Sequence, residues 1–142
     1  MTASASRRKI STRRPAGVHR AEDGRHQVLI AGNQTARVAE LLGALDLPVD
    51  GIATSGQWGV AKPDPAFFAR LIEFAGAPPD QIVYVGDHPS NDVTPAKAAG
   101  LRAAHVRRGP WGHLWADGRE VAAADWRVSS LTELAGISAP EV

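Results

Sequence analysis

Asp87 and Asp92 stand five residues apart in Val83-Tyr84-Val85-Gly86-Asp87-His88-Pro89-Ser90-Asn91-Asp92, where a run of buried-strand residues breaks at a glycine. Carboxylates are hard oxygen donors suited to Mg²⁺, an ion that keeps several waters and takes only one or two carboxylates from a protein. Upstream, Gly59-Val60-Ala61-Lys62-Pro63-Asp64-Pro65 places a lysine in a turn that opens a helix. A cation brought beside such acids could meet a phosphoryl group. The combination reads as a metal or phosphate corner. Taken alone, the acidic stretch has a plainer reading, in which Asp92 caps the next helix and Asp87 orders the turn.

These residues need elements to bring them together, and the chain supplies them in alternation. Val28 to Ala31 forms a short buried-type strand, ended by the turn Gly32-Asn33-Gln34-Thr35. Val38, Leu41, Leu42 and Leu45 recur at helical spacing and predict an apolar stripe. Gly51 to Ser55 predicts a second strand, and the helix opened by Pro63-Asp64-Pro65 should bury Phe67, Phe68, Leu71, Ile72 and Ala75 before stopping at Gly76. Gln81 to Val85 is a third strand. A helix then starts near Asn91 or Asp92, either of which can cap it, and runs to Gly100. Arg102 to Val106 and Asp125 to Val128 complete the strands, and Ser130 with Glu133 forms a capping box for a last short helix. Alternating strands and helices predict a Rossmann-like α/β/α sandwich of three layers with a mostly parallel sheet. Ligands of such sheets bind at the carboxyl ends of the strands, where Gly32 to Thr35, Lys62 and Gly86 to Asp92 all fall.

Composition limits the alternatives. The 142 residues suffice for one core, and their 44% hydrophobic and 22% charged content is that of a soluble globular protein. With no cysteine, disulfides and thiolate metal sites are excluded, and the five histidines have no paired ligand spacing. No apolar run approaches the ~20 residues of a membrane span, and Ser6-Arg7-Arg8-Lys9-Ile10 lacks the hydrophobic segment of an export signal. A cytoplasmic location follows as the default. No Gly-x-Gly-x-x-Gly or Gly-x-x-x-x-Gly-Lys element supports a dinucleotide or P-loop function. The four tryptophans are expected to serve the core or to anchor loops, Arg108 to Gly112 among them, and His88 to be incidentally exposed.

Residues 1–26 carry seven Arg or Lys against Glu22 and Asp23, leaving nine basic against thirteen acidic residues in the rest. This leader has almost no large apolar side chain and is expected to stay disordered, ahead of a core over 27–142. Without an aromatic residue to stack on bases, it gives little support to nucleic acid as a partner.

The order Lys62, Gly86-Asp87-x-x-x-Asn91-Asp92, Ala98-Ala99-Gly100-Leu101 resembles the haloacid dehalogenase-like (HAD) hydrolase superfamily, and the likeness spans most of Gln27 to Val128. The resemblance implies an HAD hydrolase of phosphatase type acting on a small phosphorylated substrate. By the family's roles Lys62 neutralises the transferring phosphoryl group, and Asp87 and Asp92 hold Mg²⁺. Asn91 braces the acidic loop. Asn33 lies beside the phosphate, with Thr35 as the nearest hydroxyl, because Gly32 stands where the family has Ser or Thr.

One part of the pattern is missing. The family's Asp-x-Asp, with its nucleophile and general acid-base group, follows an N-terminal hydrophobic strand, and nothing before Lys62 matches it. The resemblance therefore covers a C-terminal half, without the usual cap domain, expected to be truncated, inactive alone and a weak binder of Mg²⁺. That absent strand is central in the family. Its loss should leave a gap of about two strand spacings, near 10 Å, so the sheet must close, recruit a partner strand, form a homodimer or remain unstable. The alternative is a non-catalytic module that binds phosphate, metal or protein and uses the basic leader for interaction.

Overall fold

A computed structural model describes residues 2–3, 26–115 and 117–138. Its six strands are β1 (Thr2–Ala3), β2 (Gln27–Gly32), β3 (Gly51–Thr54), β4 (Ile82–Gly86), β5 (Arg102–Val106) and β6 (Trp126–Val128). They lie in the order β3-β2-β1-β4-β5-β6. The β2/β3, β4/β5 and β5/β6 pairs are parallel. The expected α/β architecture is therefore present.

The centre of the sheet differs from a uniform parallel array. β1 pairs antiparallel with β2 through Thr2 with Val28 and Ala3 with Gln27, and with β4 through Thr2 with Val83 and Ala3 with Ile82. The strand between β2 and β4 is thus supplied by the start of this same chain, over two residues, at the amino ends of its neighbours. Residues 2 and 3 depart in this from a wholly disordered leader; residues 4–25 lie outside the described part. Higher up, Tyr84 on β4 donates its hydroxyl to the carbonyl of Ala31 on β2, 3.1 Å away, and ties the two strands together.

The helices follow their sequence signals closely where caps are strong. In α3 (Pro65–Ala75), Asp64 caps the start by accepting from the Ala66 N–H at 2.9 Å, and Gly76 ends the helix at φ 66°. Its Phe67, Phe68 and Leu71 pack with Leu29, Ile82, Tyr84, Leu101 and Ala103 into the main core on one face of the sheet. On the other face Val85, Ala104, Val106 and Val128 pack with Leu134 of α7 (Leu131–Ser138). Side chains buried on both faces explain why β4 and β5 read as apolar runs rather than alternations.

Three local expectations need correction. In α1 (Ala36–Ala44) Ala39 is the buried residue, while Leu41 is 53% exposed and Leu45, just past the helix, 64%. The apolar stripe exists, but no described element covers its outer part. Ser55 does not extend β3; it opens α2 (Ser55–Trp58), because Thr54 and Gln57 form a capping box at that point. Arg108 to Gly112 is not a plain loop but leads into α5 (Gly109–Trp115), entered through Gly109 at φ 66°.

Candidate functional site

The carboxyl ends of β2 and β4 carry the predicted residues into one corner. Lys62 lies in the turn before α3, with its peptide bond to Pro63 cis. Asn33, in the turn after β2, holds that turn by two bonds. Its Nδ2 donates to the Lys62 carbonyl at 3.0 Å, and its Oδ1 accepts from the Lys62 N–H at 2.8 Å. The Asn33 amide is therefore a brace for the lysine.

Lys62 Nζ meets Asp92 Oδ1 at 2.5 Å, with side chains only 13% and 5% exposed. The other oxygen, Oδ2, accepts from the His88 N–H at 2.9 Å. Asp92 does not cap a helix, the role the simpler sequence reading assigns it. The segment Pro89–Val93 is a single π-type turn leading into α4 (Thr94–Ala98), and His88 caps it, Nδ1 accepting from the Asn91 N–H at 3.3 Å. His88 is accordingly half-buried, not incidentally exposed. Glycine is required at position 86 because a Cβ there would collide with the Asp92 carboxylate. Close approach, more than turn geometry, sets that residue.

Asp87 is different in kind. Its side chain is 46% exposed, and its Oδ2 lies 3.5 Å from Arg108 Nη2 at the surface. Beneath it the buried His105 on β5 donates from Nε2 to the Asp87 carbonyl at 3.1 Å. Burial, with the Asp92 charge second, pushes the Tyr84 phenol far up, so it stays neutral and donates to Ala31 while Lys62 Nζ sits 5.3 Å over its ring. Glu120 of α6 (Arg119–Ala122) accepts from Ser90 Oγ at 3.1 Å and from Thr94 Oγ1 at 2.8 Å, bracketing the turn that carries Asn91 and Asp92.

A cavity of about 280 Å³ opens here, lined in part by Gly32, Asn33, Thr54, Lys62 and Asn91. Asn91 thus reaches the cavity wall. Thr35 precedes α1 without a side-chain capping bond, is exposed, and does not line the cavity. Asp87 and Asp92 match Mg²⁺ in donor chemistry but not in number. Both oxygens of Asp92 are engaged, and the described residues hold no cluster of three or more His, Cys, Asp or Glu that could bind a metal. Sequence reasoning missed Glu120, His105 and Arg108. Of these only His105 left a signal, as a polar residue among the apolar ones that follow Arg102 in its strand.

The buried lysine–carboxylate pair and the second acid thus lie at the carboxyl edge of a mostly parallel α/β sheet. A family model for haloacid dehalogenase-like hydrolases matches residues 22–100, and the chain belongs to that family. It is 41% identical over 58 residues to a phosphoserine phosphatase of Thermus thermophilus, covering 41% of this chain and 23% of that protein. Against a glyceraldehyde 3-phosphate phosphatase of Methanocaldococcus jannaschii it is 31% identical over 88 residues, 62% of this chain and 37% of the relative. An HAD phosphatase from Thermococcus onnurineus superposes with a TM-score of 0.65 at 29% identity, over 82% of this chain and 52% of that one. The chain therefore matches between about a quarter and a half of the length of these relatives.

Proposed function

We propose that this chain carries the phosphate-handling corner of a phosphatase-type HAD hydrolase whose substrate is a small phosphate monoester. The observation behind this reading is Lys62, paired with the buried Asp92, at the wall of a cavity that Asn91 also lines. Lys62 neutralises phosphoryl oxygens, Asn33 fixes the lysine's backbone, and Asn91 adds an amide at the wall. Thr35, exposed at the start of α1, is the hydroxyl nearest in sequence to that turn. Asp87 and Asp92 are the carboxylates that would hold Mg²⁺, weakly because so few donors are present; the ion, if bound, would supply positive charge for the phosphoryl oxygens.

The 142 residues contain no Asp-x-Asp, so this sequence supplies neither a nucleophilic carboxylate nor its acid-base partner. Lysine and metal alone give electrostatic help without a covalent route. The chain by itself is therefore inactive in this proposal, its location cytoplasmic, and its sheet centre, which β1 spans over only two residues, a place for a partner strand or a second copy. Turnover of a generic aryl phosphate with Mg²⁺ tests it. Background rates are expected for the chain as given, with recovery when a segment bearing a hydrophobic strand and Asp-x-Asp is fused upstream. Robust turnover without that segment, abolished by Asp87→Asn, would overturn the inactive reading.

A further inference from the structure

The turn Pro89–Val93 carries two residues of the phosphate corner, and they are held unequally. Asp92 is fixed at both oxygens, by Lys62 Nζ and by the His88 N–H. Asn91 lines the cavity, yet among the described residues its side-chain amide has no hydrogen-bond partner. Its direction is therefore set by the backbone of the turn. That backbone is a single π-type turn, a geometry that is rare and recurs at functional sites.

Two groups hold the turn. His88 accepts twice, its carbonyl from the Asp92 N–H at 2.7 Å and its Nδ1 from the Asn91 N–H at 3.3 Å. On the exposed side one carboxylate spans both ends, as Glu120 accepts from Ser90 Oγ at 3.1 Å and from Thr94 Oγ1 at 2.8 Å. Hydrogen bonds to a carboxylate are charge-assisted and stronger than neutral ones. The carboxylate also stands on a fixed base. Its neighbour Val121 is 1% exposed, and Arg127 on β6 donates from Nη1 to the carbonyls of Ala122 and Ala124 at 3.2 and 3.3 Å, tying down the end of α6. Glu120 lies beyond residues 22–100, so the family match does not by itself account for this contact.

We infer that Glu120 is a positioning residue: by holding Ser90 and Thr94 it sets the turn so that the Asn91 amide meets a phosphoryl oxygen in the cavity. This rests on the phosphate-corner reading given above. Glu120 touches no phosphate and acts through Asn91.

Amide hydrogen exchange and titration with inorganic phosphate in Mg²⁺ buffer, both followed by NMR on the full chain, test the assignment. In Glu120→Ala the Asn91 and Asp92 amides should exchange about tenfold faster, as loss of hydrogen bonds to a charged group predicts. The Ala124 amide, bonded to the Val121 carbonyl, should keep its protection. Phosphate should bind about tenfold more weakly, the weight of one charge-assisted bond from Asn91. Glu120→Gln, which retains an acceptor oxygen, should recover most of both effects. Joint Ser90→Ala and Thr94→Val substitution should reproduce the Glu120→Ala loss, and combining all three should add little to it. Unchanged exchange at Asn91 and Asp92, additive losses, or exposure of Ala124 as well, which would mean that α6 has detached, overturns the positioning role. Equal phosphate affinity in the parent and Glu120→Ala overturns it too and leaves the phosphate corner standing. A parent chain that binds no phosphate overturns both.

Discussion

At the scale of single residues, the site divides into a buried ion pair and a surface acid, and the two should respond differently to substitution. Removing Lys62 leaves the Asp92 charge inside the protein with a single backbone N–H for compensation. Such uncompensated burial costs about 3–5 kcal/mol, whereas an exposed pair such as Asp87 with Arg108 contributes about 0–1 kcal/mol. Urea unfolding should therefore show Lys62→Ala several times more destabilising than Asp87→Asn. Comparable losses would mean that Lys62 is not the partner on which Asp92 depends. Asp92 is also the reason Gly86 admits no side chain, so the glycine and the ion pair are one structural unit.

Among the elements, α1 and α3 make the clearest contrast. Both have helical apolar spacing, but Phe68 is fully buried against Tyr84 and Phe67, while Leu41 stays more than half exposed. Phe68→Ala should cost about 3–5 kcal/mol through lost transfer energy and a cavity. Leu41→Gln should change stability by less than about 0.5 kcal/mol, as surface substitutions usually do. A large loss at Leu41 in denaturant titrations would show that its stripe is covered in solution.

The junction of α4 with β5 and β6 should respond to pH through Asp125. Burial would raise the Asp125 carboxyl, but hydrogen bonds from Lys97 Nζ and the Ala103 N–H, with the charges of Lys97 and Arg102, overcome it and hold the group below the usual carboxylate range. A pKa lowered by folding adds stability that is fully present above the unfolded value and is lost as pH falls through the folded one. The melting temperature should consequently fall under acid, less steeply in Asp125→Asn than in the parent. Parallel acid profiles for the two would remove Asp125 from that account.

For the whole molecule, the decisive feature is how the sheet is joined at its centre. β1 contributes two residues between β2 and β4, and above it the Tyr84 hydroxyl on Ala31 carries the link. Deleting residues 1–25 uncovers the backbone groups of Val28 and Val83 that face β1, and unpaired strand edges recruit other chains. The shortened protein should melt at a lower temperature and sediment as dimers or larger species. A monomer of unchanged stability would show that β1 is dispensable and that the Tyr84 bridge suffices.

Much of this was legible in the sequence because it is local. The α3 caps at Asp64 and Gly76, the strand ending at Gly86 and the alternation of strands and helices depend on neighbours within a few residues, where spacing and residue type settle the outcome. Lys62 and Asp92 could be chosen as site residues on the same footing. What they touch could not. Asp92 could have capped its own turn, and only the approach of a lysine thirty positions away, with His88 free to take the capping role, directed its carboxylate inward. The Ser90–Glu120 and His105–Asp87 contacts likewise join residues many positions apart, and no periodicity encodes such pairs. The occupant of the sheet centre is the furthest case. Thr2 and Ala3 have no strand signal of their own and become a strand through backbone hydrogen bonds that β2 and β4 offer from both sides, a property of the assembled sheet.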